Sequence, residues 1–368
     1  MYGGIRLMYK FLLVEDSLSD VEAFQTTIKR MNRGNGQTIY ELVIAESVDK
    51  AMEMIDSTYN GAIIDINLGE HSGNEVIHMI TEKLRVPIAI FTGTPDTSAD
   101  SLGIPIYKKG EANQEEIVTE LCEISDTGLF SVISGVGIIE EAMTKIFWNN
   151  LYPQINIWKL KKSQGVDTEK VLLRYVVSHI QELIDTEVPA YETEEMYIKP
   201  PVTNEIRTGG IYTSKRDSMS CIVLSPPCDL AIRADGKPKT DRILVCEIDD
   251  NDSVVSIITS GIEKKDKKIK AIEKALKNNY SDYYHWLPRN DIYQGGYINF
   301  RKVITYSPED FAKEFEKSEV KVQEFFVKSI LNRFSAYYAR QGQPDFKFKD
   351  ESEHIFENAV CLEGKSSN

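Results

Sequence analysis

The stretch Gly61-Ala62-Ile63-Ile64-Asp65-Ile66-Asn67-Leu68 decides the fold: a short apolar run with the character of a buried parallel strand, delivering a carboxylate at its end. Upstream, Phe11-Leu12-Leu13-Val14 is a second such run and ends in the acidic pair Glu15-Asp16. Downstream, Val86-Pro87-Ile88-Ala89-Ile90-Phe91 ends in Thr92, and Ile104-Pro105-Ile106-Tyr107 ends in Lys108-Lys109. In an open parallel sheet the functional crevice lies beyond the carboxyl ends of the strands, so these polar residues should meet on one edge. Three carboxylates there repel one another unless a hard divalent cation sits among carboxylate, carbonyl and water oxygens. Helical stretches from Asp20 to Met31, Ser47 to Ile55, Gly73 to Leu84 and Gln114 to Ile124 alternate with these runs and with a strand at Tyr40 to Ala45, which predicts an α/β, five-stranded, doubly wound parallel sheet over 8–124.

This constellation resembles the receiver domain of two-component response regulators, over roughly the first third of the chain. The family pattern is an acid pair after the first strand, an acceptor Asp after the third, Ser or Thr after the fourth and Lys after the fifth. Glu15 with Asp16, Asp65, Thr92, and Lys109 with Lys108 as the alternative stand at those places. The resemblance implies that Asp65 is the nucleophile taking a phosphoryl group from a phosphohistidine of a sensor histidine kinase. It also implies that the domain catalyses its own phosphoryl transfer and dephosphorylation. Mg²⁺ is then held by Asp16, Asp65 and the backbone carbonyl of Asn67, with Glu15 supporting through water; Lys109 pairs with the phosphoryl oxygens and Thr92 moves toward them. Two departures stand out. Lys109-Gly110 replaces the usual Lys-Pro, with Tyr107 one place closer to the lysine than the usual switch aromatic. Gly93 to Gly103, with Pro95 and several turn formers, has room for one helical turn where the family has a whole helix.

The chain has 368 residues, a formal net charge of −14 and the apolar and charged fractions of a globular protein, room for two or three domains. Residues 1–124 carry −10 of that charge and the remainder −4. Such a chain repels nucleic acid at long range, and no helix-turn-helix motif is present, so DNA binding is not expected. No run reaches the ~18 apolar residues of a membrane span, and Met1-Tyr2-Gly3-Gly4 lacks a signal-peptide pattern; a cytoplasmic location is the expectation. Five scattered cysteines without a Cys-x-x-Cys argue against a disulfide framework or a zinc site.

Beyond the receiver-like part, 125–186 is a helical connector. Ile139, Met143, Ile146, Phe147 and Leu151 recur at helical spacing up to Pro153, and a second amphipathic segment begins at Asp167. This hairpin needs an apolar partner, either the neighbouring domains or a second protomer in a homodimer. Residues 187–207 read as an irregular linker, 208–350 as an α+β output domain with the pattern of a small barrel, and 351–368 as a polar tail. In the output domain, strands are expected at 220–225, 242–248, 253–260 and 297–306, a lysine-rich helix at Lys264 to Asn278, and a final helix from Val320 to Arg340.

The sharpest local feature there is Ile222-Val223-Leu224-Ser225-Pro226-Pro227-Cys228-Asp229-Leu230. Read as a site, Cys228 is a nucleophile at a strand end, Asp229 its orienting acid and His285 the base, making the protein a phosphorylation-controlled enzyme. Read as structure, Cys228 is a small buried apolar residue and Asp229 a turn cap. Gly209-Gly210-Ile211-Tyr212 followed by apolar strands also resembles toxin ribonucleases built on a small barrel, although the family's arginine is replaced by Ser218-Met219-Ser220-Cys221. The leading expectation is a receiver that controls a non-DNA-binding output domain through contacts with another protein.

Overall fold

The computed structural model describes residues 8–69, 71–93, 103–135, 137–184, 190–234, 236–340 and 348–363. The chain divides into two compact units, Met1–Glu187 and Val188–Asn368.

The first unit opens with β1 (Tyr9–Val14), α1 (Leu18–Gly34), β2 (Tyr40–Ala45), α2 (Val48–Met54) and β3 (Gly61–Ile64). A two-residue hairpin, β4 (Asn67–Leu68) and β5 (His71–Ser72), leads to α3 (Asn74–Lys83), β6 (Ile88–Thr92), β7 (Ile106–Lys108) and α4 (Gln114–Asp126). The parallel sheet has the order β2-β1-β3-β6-β7. Successive side chains of a strand face opposite sides, and both sides are covered. Leu12, Val14, Ala62, Ile64, Ile88 and Ile90 pack with α2 and α3. Phe11, Leu13, Ile63, Ala89 and Phe91 pack with α1 and α4. Ser17 caps α1 and Ser47 caps α2 through their hydroxyls. The strand order reverses direction between β1 and β3, which places the crevice above the residues that follow those two strands. Most of the shortened segment between β6 and β7, residues 94–102, lies outside the described residues.

Then come α5 (Leu129–Ile133), α6 (Ile138–Ile146), a π-helical turn Phe147–Leu151, a 3₁₀ turn Tyr152–Gln154, α7 (Ile155–Ser163) and α8 (Thr168–Ile184). Pro153 does not end the run as the sequence suggests. It occupies the first turns of the next segment, where its missing N–H costs nothing.

The second unit is built on a seven-stranded antiparallel sheet. Its elements are β8 (Tyr197–Ile198), β9 (Gly210–Thr213), β10 (Ser220–Val223), α9 (Pro227–Leu230), β11 (Ile243–Asp249), α10 (Asn251–Thr259) and α11 (Lys265–Leu276). They continue through β12 (Tyr284–Leu287), β13 (Gly296–Tyr306), α12 (Pro308–Glu314), β14 (Val320–Val322), α13 (Glu324–Ala339) and α14 (Phe348–Glu363). The order β12-β13-β11-β10-β9-β14-β8 leaves two edges, so the described sheet is open where the sequence suggested a small barrel.

Four sequence expectations are corrected here. The stretch 187–207 is not all linker: Met196 and Tyr197 are buried, and β8 is an edge strand paired to β14. Residues 253–259 are helical, because Asp250 caps the Ser253 N–H at 2.8 Å and Val254 and Ile258, one turn apart, bury together against Tyr284 and Tyr297. Val320–Val322 is a strand ahead of the last long core helix. The polar tail begins as a helix, α14, rather than a frayed end.

Candidate functional site

Glu15 and Asp16 follow β1 directly, and Asp65 follows β3; the two strands are hydrogen-bonded neighbours with Val14 opposite Ile64. Glu15 and Asp65 are buried and Asp16 is exposed. One carboxylate oxygen from each of Glu15, Asp16 and Asp65 lies within 4.8 Å of the others. Lys109, just past β7, reaches across and donates from Nζ to Glu15 Oε2 at 2.7 Å, Asp65 Oδ2 at 2.7 Å and Asp20 Oδ2 at 2.9 Å. Its ammonium also lies 5.5 Å from the centre of the Phe91 ring. Lys108 turns the other way and pairs with Glu111 at 2.6 Å in solvent. Of the alternatives left open by the sequence, Lys109 is the lysine at this site.

The electrostatics follow from the count of charges: four carboxylates, Glu15, Asp16, Asp20 and Asp65, gather round one ammonium. Burial works against the Lys109 charge, but the hydrogen bonds it donates to Asp65, Glu15 and Asp20 override it and hold the ammonium firmly protonated. Burial pushes the Glu15 carboxyl up from its ordinary value, with the Lys109 and Ser17 hydrogen bonds pulling back. Asp65 Oδ1 accepts the backbone N–H of Asn67 at 3.2 Å, and Glu15 Oε1 accepts that of Ser17 at 3.0 Å. Thr92 is fully buried at the end of β6, and its Oγ1 has no hydrogen-bond partner. A buried hydroxyl left unpaired is costly, and it is the group that a ligand oxygen satisfies.

Two residues of this site were missed by sequence reading. Asp20 sits in the first turn of α1, where the Ser17 hydroxyl also holds its N–H. Its four-residue spacing from Asp16 is a usable signal. Gly73 packs on the far side of the loop after Asp65: a Cβ there would lie 1.9 Å from the carbonyl oxygen of Asp65. Only glycine allows α3 to begin against that backbone, and its N–H bonds the Ile66 carbonyl at 2.9 Å.

Part of the chain is similar to solved receiver domains. A CheY-like response regulator receiver domain protein from Methanospirillum hungatei is 17% identical, covering 33% of this chain and 95% of that one with a TM-score of 0.28. The phosphorylated cyanobacterial phytochrome response regulator RcpA is 19% identical over 34% of this chain and 98% of its own, TM-score 0.26. A response regulator from Thermotoga maritima is 13% identical over 33% and 99%, TM-score 0.26. No family model and no curated protein matches the chain. The similarity to receivers is confined to about a third of the sequence.

The other candidate set does not assemble. Cys228 lies in the four-residue α9 and is exposed, with Sγ 3.8 Å from Asp229 Oδ1. It is therefore neither a strand-end nucleophile nor a buried apolar residue; the buried thiols are Cys221 and Cys246. His285 is in the core on β12, and β13 and β11 separate it from β10, the strand leading to Cys228. Cys228 itself lies five residues past the end of β10, so the two residues come from different strands of the sheet and His285 is held in the core, away from solvent. Burial, with the Arg333 charge nearby, pushes the His285 pKa down to about 3, and its Nδ1 has no hydrogen-bond partner. No single helix among the described residues is long and apolar enough to cross a membrane.

Proposed function

We propose that the first unit is a phosphoacceptor receiver and that the chain is a response-regulator-like signalling protein. The observation that supports this most is the Lys109 ammonium bound at once to Asp65, Glu15 and Asp20, beside the unpaired Thr92 hydroxyl. Asp65 Oδ attacks the phosphorus of a phosphohistidine on a sensor histidine kinase. A P–O bond forms as the P–N bond breaks, and the imidazole leaves with the electron pair. Lys109, already beside Asp65, shifts its contact to the phosphoryl oxygens, and the Thr92 hydroxyl donates to another of them. Asp16, Asp65 and the Asn67 backbone carbonyl would hold Mg²⁺, with Glu15 behind them; the carboxylate oxygens of Glu15, Asp16 and Asp65 within 4.8 Å of one another are the hard donors that ion takes. When bound there, the ion would supply positive charge against that gathering on the transferred group.

The second unit is the output, controlled through contact with another protein. The enzyme reading based on Cys228 loses its base, since His285 stays in the core. Acetyl phosphate or beryllofluoride with Mg²⁺ tests the receiver reading. Asp65 should be modified or occupied, and Asp65→Asn should abolish this while keeping the fold. Acid-labile phosphate surviving undiminished in that variant overturns the assignment. Asp16→Ala should weaken Mg²⁺ binding at least about tenfold, because a charged ligand to a hard cation is lost.

A further inference from the structure

The face of the second unit's sheet that carries Tyr212 is covered along only part of its width. Cross-strand partners share a face, and so do residues two apart along one strand. Tyr212, Cys221, Val223, Ile243 and Val245, on β9, β10 and β11, pack with Phe311 and Phe315 from α12 and its end; no residue of β14 or β8 belongs to that cluster. On the same face, the row Ile198, Lys321, Gly210 crosses β8, β14 and β9 in register. The residues alternating with it, Tyr197, Val320, Val322 and Ile211, belong to the core on the other side, with Val327 and Ile330. Over that row lies a cavity of about 620 Å³. Small-molecule sites run from ~300 to ~1,000 Å³.

The cavity's walls are the loop 201–207 and the chain from Phe311 to Ser318. Both walls are tied to β9 and its end. The Gly210 N–H donates to the Arg207 carbonyl at 3.0 Å, the Glu316 N–H to the Thr213 carbonyl at 3.1 Å, and the Lys215 N–H to the Glu314 carbonyl at 2.9 Å. A site held in shape before its ligand arrives loses little entropy on binding. Gly210 adds no side chain to the floor, and a Cβ there would stand 2.8 Å from Cε2 of Tyr212.

The lining combines apolar side chains, among them Ile206, Phe311 and Phe315, with four cations, Arg207, Lys215, Lys317 and Lys321, against the two acids Glu205 and Glu316. Arg207 is already paired with Glu205, and Lys215 donates to the Ala312 carbonyl at 3.3 Å. Lys321 differs from both. It is half-buried on the floor, and its ammonium has no ion pair or hydrogen bond among the described residues. In a chain of net charge −14, a lysine drawn partly out of water and left without a carboxylate is the group that an anion satisfies.

We propose that the second unit binds a small organic anion in this cavity, with its apolar body against Phe311, Phe315 and Ile206 and its charged group on Lys321. A lysine ammonium acts as a point charge toward carboxylate, sulfonate or phosphate. The ligand is therefore one anionic group on an apolar body, carried by a carboxylic acid or a phosphate monoester. Every residue involved lies in the second unit, so the inference stands apart from the phosphoacceptor reading.

Anilinonaphthalene sulfonate, titrated calorimetrically into the full chain without Mg²⁺ or acetyl phosphate, should bind one molecule per chain with micromolar affinity. Lys321→Met keeps the length and apolar stem of the side chain, so circular dichroism and melting temperature should hold while the dissociation constant rises about tenfold or more. Lys321→Arg keeps the charge and should stay within about threefold of the native affinity. The neutral parent, phenylnaphthylamine, should bind native and Lys321→Met chains alike. Lys328→Met, outside the cavity, should change neither probe. Displacement of the sulfonate by naphthoate identifies a carboxylic acid, and displacement by naphthyl phosphate alone a phosphate ester. Asp65→Asn should bind as the native chain does, whichever way the phosphorylation test falls. Absence of one-to-one binding, a Lys321→Met chain that binds the sulfonate as the native does, equal loss in the Lys321 and Lys328 variants, or displacement by neither competitor overturns the inference.

Discussion

Each unit contains a lysine clamped by carboxylates, and the two clamps differ in kind. Lys302 pairs with Asp249 at 2.7 Å and Glu247 at 3.0 Å, but it is 47% exposed. One of its acidic partners is held further, since Asp249 also accepts from Asn299 at 2.8 Å and Tyr284 at 3.2 Å. That is a closed network on a sheet surface. Lys109 is 20% exposed and shared by three carboxylates, of which Glu15 and Asp65 are nearly inaccessible. An unpaired hydroxyl lies at the adjacent strand end. An arrangement of buried carboxylates beside a spare buried hydroxyl is completed by something added, whereas a half-exposed one has its surplus charge met by water.

The sharpest way to break this comparison is to remove each ammonium. Lys109→Met leaves buried carboxylates facing one another and should cost roughly 3–5 kcal/mol in urea unfolding without divalent cation. Saturating Mg²⁺ should return part of the loss. Lys302→Met should cost under about 1 kcal/mol, as exposed pairs do. Equal costs would put the two clamps in one class.

Next in size, Gly73→Ala forces a methyl into the Asp65 carbonyl and should destabilise the first unit by about 3 kcal/mol or more. A variant as stable as the parent would mean that the loop after Asp65 is free to move off α3.

The pH response should run oppositely in the two units. His285 has a folded-state pKa of about 3 against an ordinary 6.5, so between those values the unfolded chain binds a proton that the folded chain refuses. Stability of the second unit should fall with pH there at about 1.4 kcal/mol per unit at most, and His285→Phe should flatten the slope. Glu15 is raised instead: just above its ordinary value the folded state holds the extra proton, so its contribution improves as pH falls through that window. Glu15→Gln should remove that gain, and a slope of the same sign for both residues would contradict the burial assigned to one of them.

The smallest effect concerns Cys228. Iodoacetamide should label it in the native protein while Cys221 and Cys246, buried and with thiol pKa values pushed up, wait for unfolding. Cys228→Ser should change stability by less than about 0.5 kcal/mol. Slow labelling would place that thiol inside the fold after all.

The two units were also unequally legible in the sequence. In the first, continuous apolar runs too short for helices could only be buried parallel strands, and the polar residues ending them had to share one edge. Glu15, Asp16, Asp65, Thr92 and Lys109 were visible for that reason. Asp20 was hidden inside a helix-capping pattern. In the second unit, Val254-Val255-Ser256-Ile257-Ile258 carries β-branched residues typical of strands, yet a capping Asp250 and burial on one helical side prevailed. Tyr197-Ile198 was too short to signal a strand, because only its pairing with β14 makes it one.

What the sequence by itself determined is the order of strand-ending polar residues in the first unit, since chain direction and the alternation of apolar runs leave one edge for them. The tertiary structure alone decided which of two adjacent lysines turns inward, that Asp20 joins the cluster, and that Gly73 must lack a side chain. It also decided that Cys228 and His285 stay apart. These outcomes depend on distances between residues far apart in the chain, set by packing across the sheet, and no local pattern encodes them.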